Sequence, residues 1–312
     1  MTSRPSRRVA LTAAGLITLL TGCGLSGESL DSGGGGAQAC STEAPQSGPI
    51  KVGSADFPES GLIAEIYAGA LKAKGIDATT TDPIGAREAY LQALQDGSVQ
   101  VVPEYTNSLL NYLDPKAKVK GAEEIHAALQ TTVPCSQLVL QKSAAEDSNA
   151  LVVSQPTAKK WNLKTVSDLA KRANEVSIAA SPEFRTRQQG LVGLKSVYNL
   201  EPKSFRAIGN AATLAASLKN GQVTAANIYS TDPSITTNKF VVLKDDKQLF
   251  GSDNVVPLVA RSSATPQVQT TLNAVSAKLT TPELARMLKE VVVDKKSPAK
   301  VAEAWLSKNA LS

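Results

Sequence analysis

Short apolar strands alternate with amphipathic helices in this chain, and that alternation limits the possible folds more than any other feature. A strand expected at 50–54 is followed by a helix that begins at Pro58, whose apolar residues recur at helical spacing. A second strand is expected at 76–81, a helix at 87–95 and a third strand at 99–102. Short links between these elements predict a parallel sheet covered by helices on both faces.

The same alternation restarts at about residue 150, and a body of this length usually forms two domains. We expect an α/β protein with two lobes joined by a two-strand hinge, and a ligand cleft between them. Lobe 1 is expected to comprise 49–149 and 253–312, and lobe 2 to comprise 150–252. Apolar runs near 150 and 255 are the expected crossovers, so the last helices return to lobe 1.

The stretch from Val99 to Ser108 indicates where a ligand binds. The strand is expected to stop at Pro103, because proline cannot donate to a sheet but suits the first turn of a helix. Tyr105 and Ser108 are three residues apart, so on that helix they would share a face beyond the carboxyl end of the strand. Ligands of open α/β sheets bind in that crevice. The alternative is that Tyr105 is a half-buried core residue.

Residues 1–22 are typical of a secretory signal: a leader with three arginines precedes an apolar run at 9–20. The run is too short for a stable membrane anchor. It ends in Leu-Thr-Gly-Cys at 20–23, which resembles the lipobox of bacterial lipoproteins. That resemblance implies cleavage before Cys23, acylation of its thiol, and attachment of the protein to the extracytoplasmic face of the cell membrane.

The charge of the chain does not indicate nucleic-acid binding. Removing residues 1–22 lowers Lys+Arg from 33 to 30 against 28 Asp+Glu, so the net charge falls from +5 to +2. Much of the excess positive charge therefore belongs to the leader, and no later run is strongly basic. After the leader, no stretch is apolar over about 18 residues, so we expect no later membrane span.

Residues 23–48 are rich in Gly, Ser and Gln, a composition typical of a flexible tether. The other two cysteines are Cys40 and Cys135. Outside the cytoplasm, two thiols form a disulfide more often than a metal site or a catalytic site. We therefore expect a disulfide between Cys40 and Cys135.

The single histidine limits the enzyme classes that fit this chain. His126 lies in an amphipathic helix expected at 123–132, where an exposed surface position is the usual outcome. One histidine without a cysteine cluster provides little for a metal site or a Ser/His/Asp triad. No phosphate-binding loop or dinucleotide motif is present. We therefore expect no enzyme activity, no metal and no cofactor.

Six short motifs occur in order between about residues 50 and 310. They are Gly53-Ser-Ala-Asp-Phe-Pro-Glu-Ser60, Pro103-Glu-Tyr-Thr106, Pro182-Glu-Phe184 with Arg187, Gly190-Leu-Val-Gly193 with Val197-Tyr198, Tyr229-Ser-Thr-Asp232, and Val241-Val-Leu-Lys-Asp-Asp246. Together they resemble the substrate-binding lipoproteins of osmoprotectant ABC importers, which bind glycine betaine, carnitine or choline. The resemblance implies a type II periplasmic-binding fold and a monomer that delivers a small ligand to a membrane permease.

The resemblance also implies an aromatic cage. In the family, tyrosines surround a quaternary ammonium group, because aromatic faces attract a cation that has no N–H to donate. Tyr105 and Tyr229 match two of these tyrosines. The third position falls on Asn149 and the fourth falls near Asp253 or Asn254, so two aromatic residues are missing.

Three further positions carry over from the family. Ser108 matches a hydroxyl that faces the ligand, and Arg187 matches an arginine that holds a carboxylate in some relatives. Ala55 stands where relatives have a lysine or glutamine that touches the ligand. For Arg187 the alternative is a surface or interlobe salt bridge.

The missing aromatic residues leave a second ligand class open. Each cation–π contact contributes roughly 0.5–2 kcal/mol, so losing two would weaken binding about tenfold to a thousandfold. Carboxylates at Asp56, Asp147 or Asp253 would either pair with a cation or bind the hydroxyl groups of another ligand, such as a polyol. An aromatic ligand would use the space that the missing rings leave. Asp56 and Asp253 have a structural alternative, which is to cap turns or helices.

Overall fold

The computed structural model describes residues 48–312. The expected signal segment, the tether up to residue 47, Cys23 and Cys40 lie outside the described residues. Within 48–312, none of the helices combines the length and the apolar character that crossing a membrane requires.

The first half of the described chain contains four strands and four helices. They are β1 (Ile50–Val52), α1 (Pro58–Ala73), β2 (Ala78–Thr80), α2 (Arg87–Gln95), β3 (Val101–Tyr105), α3 (Thr106–Leu113), α4 (Ala122–Thr132) and β4 (Gln137–Val139).

The second half begins with the elements of a second sheet and ends with one strand and three helices. They are β5 (Asn149–Val153), α5 (Gln155–Trp161), α6 (Val166–Ala170), β6 (Ser177–Ala180), α7 (Leu191–Tyr198), β7 (Ser204–Ala207), α8 (Ala211–Lys219), β8 (Ala225–Tyr229), α9 (Ser234–Thr237), β9 (Val241–Val242), β10 (Val255–Ala260), α10 (Pro266–Ser276), α11 (Thr281–Val292) and α12 (Pro298–Lys308).

Each lobe is built on one five-stranded sheet. The strand order is β2-β1-β3-β10-β4 in the first lobe and β7-β6-β8-β5-β9 in the second. In the first sheet β1 runs parallel to β2 and β3, whereas β10 is antiparallel to β3 and β4. In the second sheet β6 runs parallel to β7 and β8, whereas β5 is antiparallel to β8 and β9.

The predicted parallel arrangement of the first three strands is confirmed, and each complete sheet is mixed because β10 and β5 run antiparallel to their neighbours. The antiparallel strands β5 and β10 are the two that directly follow the connections between the lobes. A chain that enters a sheet from the other lobe need not follow the right-handed crossover that keeps sequential strands parallel. Mixed sheets of this kind are common in α/β proteins.

Helices cover both faces of the first sheet. On one face α1 packs against α10, α11 and α12, and the buried side chains there include Leu62, Ile66 and Trp305. On the other face α2, α3 and α4 contribute a second cluster that includes Leu109 and Leu129. The C-terminal helices thus complete the core of the first lobe.

The strands of the second lobe bury both faces in alternation. Leu151 and Val153 on β5 point into a cluster with α6 and α7. Ala150 and Val152 on the same strand point the other way, into a cluster with α8. Successive residues of a strand face opposite sides, so β5 is apolar from Ala150 to Val153.

Two chain segments connect the lobes and pair with each other. Glu146 and Asn254 form an antiparallel bridge, and the backbone N–H of Asp147 donates to the carbonyl oxygen of Asp253 at 3.0 Å. The N–H of Asn254 donates to the Thr106 hydroxyl at 3.1 Å. This paired connection is the two-strand hinge, and Thr106 at the start of α3 contacts it directly.

The prediction that Pro103 ends the third strand is wrong. β3 continues through Pro103 to Tyr105, and Tyr105 is the last strand residue, not a helix residue. Pro103 lies opposite Pro257 of β10. Opposite residues of an antiparallel pair either exchange two hydrogen bonds or none, so two prolines fit a pair that exchanges none.

Two other boundaries differ from the sequence prediction because of local backbone geometry. The sequence of 187–198 predicts mainly helix, but α7 begins only at Leu191, because the N–H of Gly190 bonds the Arg187 carbonyl at 3.0 Å in a preceding turn. The sequence of 239–243 predicts a strand, but the strand is confined to β9, since Lys239 has a left-handed φ of 53°. The turn before α7 carries Arg187 and Gln189.

We expect substitution of Gly193 by alanine to destabilise the second lobe. A Cβ at Gly193 would lie 1.9 Å from the carbonyl oxygen of Gln188, so the turn before α7 must shift. Overpacking of this kind costs about 1–3 kcal/mol. The measurement is the free energy of unfolding of the full chain in urea.

The matched control is Gly61→Ala in α1, where an added Cβ meets no atom within 4 Å. Replacing a helical glycine by alanine stabilises by roughly 0.5–1 kcal/mol. Equal stability of Gly193→Ala and the unmodified chain would contradict the packing described for the turn.

Candidate functional site

A cavity of about 190 Å³ lies between the two lobes. From the first lobe it is lined by residues of α2 and α3, including Arg87, Glu88, Ser108 and Asn111. From the second lobe it is lined by the start of β5, the end of β8 and the turn before α7. Clefts for drug-sized ligands measure roughly 300–1,000 Å³, so this cavity suits a smaller solute.

Four of the predicted ligand-binding residues line this cavity: Ser108, Asn149, Arg187 and Tyr229. The others do not line it: Tyr105, Ala55, Asp147, Asp253 and Asn254 are buried elsewhere, and Asp56 is exposed.

Phe57 lies between the two predicted cage tyrosines. Its ring centroid is 6.1 Å from that of Tyr105 and 5.4 Å from that of Tyr229, with which it stacks at an interplanar angle of 27°. Phe57 is the N-cap of α1 in the first lobe, whereas Tyr229 ends β8 in the second. The stack is therefore an aromatic contact across the cleft, of a kind that contributes about 0.5–1.5 kcal/mol.

Tyr105 belongs to a buried polar network beneath that stack. Its hydroxyl donates to Glu59 Oε1 at 2.8 Å, and the Thr231 hydroxyl donates to the other oxygen of Glu59. Asp147 Oδ1 accepts the N–H of Thr231 at 3.0 Å. Glu59 lies at the start of α1, Asp147 in the hinge and Thr231 in the second lobe, so the network joins all three parts.

Burial is the main cause that raises the pKa of both Glu59 and Asp147 above the ordinary values of carboxyl groups. Hydrogen bonds from Thr231 and Tyr105 oppose the shift for Glu59. After burial, the nearby charge of Glu59 is a further cause that raises the pKa of Asp147, because two neighbouring carboxyl groups disfavour being ionised together.

Arg87 links the cavity to a buried ion pair. Its Nε and Nη2 donate to the two oxygens of Glu104 at 2.8 and 2.9 Å, and the Tyr90 hydroxyl donates to Glu104 at 2.7 Å. Arg87 is 6% exposed and Glu104 is fully buried. Removing one partner of such a pair leaves a buried charge without compensation, so the pair holds α2 to β3.

Arg187 spans the cleft. Its Nη2 lies 3.3 Å from a carboxylate oxygen of Glu88 on α2, so the interlobe salt bridge considered above is present. Arg187 also lines the cavity, and its buried Nε has no hydrogen-bond partner among the described residues. The Arg187 side chain is 26% exposed, so other atoms of it remain accessible although Nε is not.

Asp253 caps α3, which is its structural alternative. Its Oδ1 accepts the N–H groups of Asn107 at 2.8 Å and Ser108 at 3.0 Å. Burial raises the pKa of Asp253 to about 7, although the hydrogen bonds from Ser108 and the charge of Arg87 oppose this shift.

Two further predictions concern residues outside the cavity. His126 is buried and its Nε2 lies 2.7 Å from the Leu140 carbonyl oxygen, so the expectation of a surface histidine is wrong. Cys135 is disulfide-bonded. The other two cysteines, Cys23 and Cys40, lie outside the described residues, so the pairing with Cys40 stays a prediction.

Sequence reasoning missed Phe57, Arg87 and Gln189 as cavity or cleft residues. Phe57 lies within the motif at 53–60, which was its only signal. Gln189 lies in the turn before α7, where a helix was expected. Arg87 is the first residue of α2, and nothing in the sequence of that helix indicates that Arg87 pairs with Glu104 of β3.

The sequence profile of one family matches residues 48–308, and it is described as the substrate binding domain of ABC-type glycine betaine transport systems. A carnitine transport binding protein of Listeria monocytogenes is 28% identical over 273 residues, which cover 83% of this chain and 86% of that protein. A glycine-betaine-binding protein of Pseudomonas aeruginosa is 27% identical over 282 residues, which cover 85% and 89%.

Solved structures support the two-lobed fold. One described as a glycine betaine/carnitine/choline ABC transporter has a TM-score of 0.67 and 26% identity, covering 84% of this chain and 99% of that one. A lactococcal protein in its closed, glycine betaine-bound conformation has a TM-score of 0.60 at 16% identity, covering 84% and 96%, and so shows the fold alone.

These comparisons confirm the predicted type II periplasmic-binding fold. Proteins of this kind bind a small molecule outside the cytoplasm and interact with a membrane permease, and they are not an enzyme class. The match over most of the described chain shows that this protein belongs to the family of substrate-binding domains of ABC-type glycine betaine transport systems.

Proposed function

We propose that this protein is the extracytoplasmic solute-binding component of an ABC importer for glycine betaine, carnitine, choline or a related small zwitterion or cation. The observation that carries the proposal is the interlobe cavity, which places Tyr229 and Arg187 on the walls of one small space. An aromatic ring and a guanidinium are the groups that a cation and a carboxylate respectively require.

The cavity offers a different partner to each end of a zwitterion. Tyr229 presents an aromatic face, and Phe57 backs its ring from the other lobe. Arg187 lines the same cavity with a partly exposed side chain, whose guanidinium suits a carboxylate. Asn111 and Asn149 add polar side chains to the walls. Relatives named for carnitine and glycine betaine, both of which are zwitterions, support this assignment.

Phe57 also bears on the alternative of a polyol or aromatic ligand. That alternative depends on the absence of two cage tyrosines at Asn149 and near Asp253. Phe57 is not one of the four cage positions of the family, but it adds an aromatic ring next to two of them. Its ring packs against both Tyr105 and Tyr229. A cation at Tyr229 therefore meets a ring held in place by a second ring.

Binding requires no chemical step in this proposal, and the protein is not an enzyme. The lobes open and close about the hinge, and a ligand that contacts both lobes favours the closed conformation by its higher affinity for it. The Arg187–Glu88 ion pair and the Phe57–Tyr229 stack cross the same cleft, and both also favour the closed conformation.

The remaining assignments concern attachment and organisation. We propose that a lipid on Cys23 holds the mature protein on the extracytoplasmic face of the membrane, beside its permease. We propose a monomer that divides at the hinge, with 49–149 and 253–312 in lobe 1 and 150–252 in lobe 2. The sheet pairing described above supports this division except at Asn149, which belongs to β5 of the second sheet.

A ligand screen on the full chain tests the proposal. Ligands that bind only the folded state raise the melting temperature by mass action. We expect glycine betaine, carnitine or choline at millimolar concentration to raise it, and a polyol such as sorbitol to leave it unchanged. A shift with sorbitol and with none of the three would contradict the proposal.

We expect Tyr229→Ala to weaken the binding of glycine betaine roughly threefold to thirtyfold, because one cation–π contact is lost. The control is Tyr229→Phe, which keeps the ring and should bind within about twofold of the unmodified chain. Isothermal titration calorimetry measures both affinities. Equal affinities of Tyr229→Ala and Tyr229→Phe would show that the ring does not face the ligand.

We expect Arg187→Gln to separate the ligands by their charge. Loss of a charge-assisted hydrogen bond should weaken the binding of carnitine and glycine betaine about tenfold to a hundredfold. Choline has no carboxylate, so its affinity should change far less. Titrations of all three compounds provide the comparison.

The matched control for Arg187→Gln is Glu88→Gln, which removes the interlobe ion pair but keeps the guanidinium. It should affect zwitterions and choline alike. A uniform loss in Arg187→Gln as well would mean that Arg187 acts only through the ion pair.

A further inference from the structure

The Ser108 hydroxyl lies between two oxygens that belong to different lobes. Its Oγ is 2.7 Å from Oε1 of Gln189, in the turn before α7 of the second lobe. On its other side it is hydrogen-bonded to Oδ2 of Asp253, which adjoins the hinge. Ser108 and Gln189 both line the cavity, so this contact is part of the cleft that closes around a ligand.

The orientations of both neighbours are determined by other hydrogen bonds. Gln189 Nε2 donates to the Phe250 carbonyl oxygen at 2.8 Å, so Oε1 must be the atom that faces Ser108. Asp253 Oδ1 accepts the N–H groups of Asn107 and Ser108, so Oδ2 is the oxygen that faces the hydroxyl.

The number of available protons then decides whether the contact across the cleft forms. A serine hydroxyl has one hydrogen to donate, and an amide oxygen has none. If Asp253 is ionised, both neighbours of Ser108 are acceptors, and the hydroxyl will turn to the charged one. Gln189 Oε1 would then face a lone pair of Ser108 at 2.7 Å without a hydrogen between them.

We propose that protonation of Asp253 promotes closure of the cleft: the neutral carboxyl donates to Ser108, and the Ser108 hydroxyl then donates to Gln189 of the opposite lobe. Asp253 and Gln189 are positioning residues in this mechanism. The proposal goes beyond solute binding, because it makes the open–closed equilibrium depend on pH outside the cell.

The surroundings of Asp253 place its titration near neutral pH. Burial raises the pKa of Asp253 to about 7; the hydrogen bonds from Ser108 and the charge of Arg87 on α2 oppose this shift, and Glu104 on β3 adds to it. Burial also raises the pKa of Tyr229 on β8 to about 12, and the charge of Asp253 contributes to that shift. In an open cleft water would reach Asp253, so its pKa would fall towards the ordinary value.

The sign of the pH effect follows from this difference. The closed form holds the proton more tightly than the open form, so closure takes up a proton and is favoured as pH falls below about 7. One hydrogen bond across the cleft corresponds to roughly fivefold in affinity. We therefore expect glycine betaine to bind about fivefold more tightly at pH 5.5 than at pH 8.5.

Asp253→Asn is the decisive variant. Its amide oxygen can accept the two N–H groups, and its Nδ2 donates permanently to Ser108, as the protonated carboxyl does. We expect it to bind glycine betaine at both pH values as tightly as the unmodified chain does at pH 5.5. Gln189→Met removes the acceptor at similar length, and we expect weaker binding that no longer depends on pH.

The carboxyl groups of Glu59 and Asp147 also have raised pKa values, so they are a second possible source of a pH effect at this junction. Both remain unchanged in Asp253→Asn. A pH dependence that persists undiminished in Asp253→Asn would overturn the proposal.

A measurement without ligand separates this proposal from the proposed solute. Residues Lys118 and Lys203 are exposed and belong to different lobes. Replacing both by p-acetylphenylalanine in the full chain allows nitroxide labelling without cysteine chemistry. Double electron–electron resonance spectroscopy then measures the distance between the two nitroxides, one on each lobe. We expect a larger share of short distances at pH 5.5 than at pH 8.5, and no such change in Asp253→Asn.

The same distance distribution at both pH values in the unmodified sequence would contradict the proposal. If glycine betaine fails to bind but the distances still respond to pH through Asp253, the assignment of the solute is wrong and the proton-dependent closure stands.

Discussion

The arrangement of the site depends on one aromatic contact, the stack of Phe57 on Tyr229. Phe57 precedes α1, and the buried side chains of α1 pack into the core of the first lobe. Tyr229 ends a strand at the centre of the second sheet. Because both rings project from rigid elements, their contact sets how closely the lobes approach and leaves a cavity of about 190 Å³ beside it.

Several buried polar groups near this contact have partners from other elements. Glu59 accepts hydrogen bonds from Tyr105 and Thr231, Arg87 pairs with Glu104, and Asp253 caps α3. Buried charges are costly unless paired, so these groups tie the cleft walls to specific neighbours. Such a site changes between few discrete arrangements, which suits a protein that must open and close.

The hinge explains why the polar groups concentrate at this place. The Glu146–Asn254 bridge lies next to Asp147 and Asp253, and both carboxyl groups reach into elements of the lobes. Groups on a hinge experience a different solvent exposure in the open and closed forms. Their proton affinity therefore changes with the conformation, which is the physical basis of any coupling between pH and closure.

The alternation of strands and helices was sufficient to predict two α/β lobes, because periodicity reports local burial. It did not predict the direction of β5 and β10, because that direction depends on how the chain crosses between the lobes. It also did not predict that β3 continues through Pro103, because this depends on Pro257 in the opposite strand. Of the residues that line the cavity, Tyr229, Arg187, Ser108 and Asn149 were predicted through the resemblance to the family. Phe57, Arg87 and Gln189 were missed, since their roles arise from contacts between elements distant in sequence.

The most direct test of the central claim is a crystal structure of the protein in complex with glycine betaine. The account predicts the ligand in the interlobe cavity, with its trimethylammonium group over the ring of Tyr229 and its carboxylate within hydrogen-bond distance of Arg187. Glycine betaine bound elsewhere, or held in the cavity without contact to either residue, would contradict it.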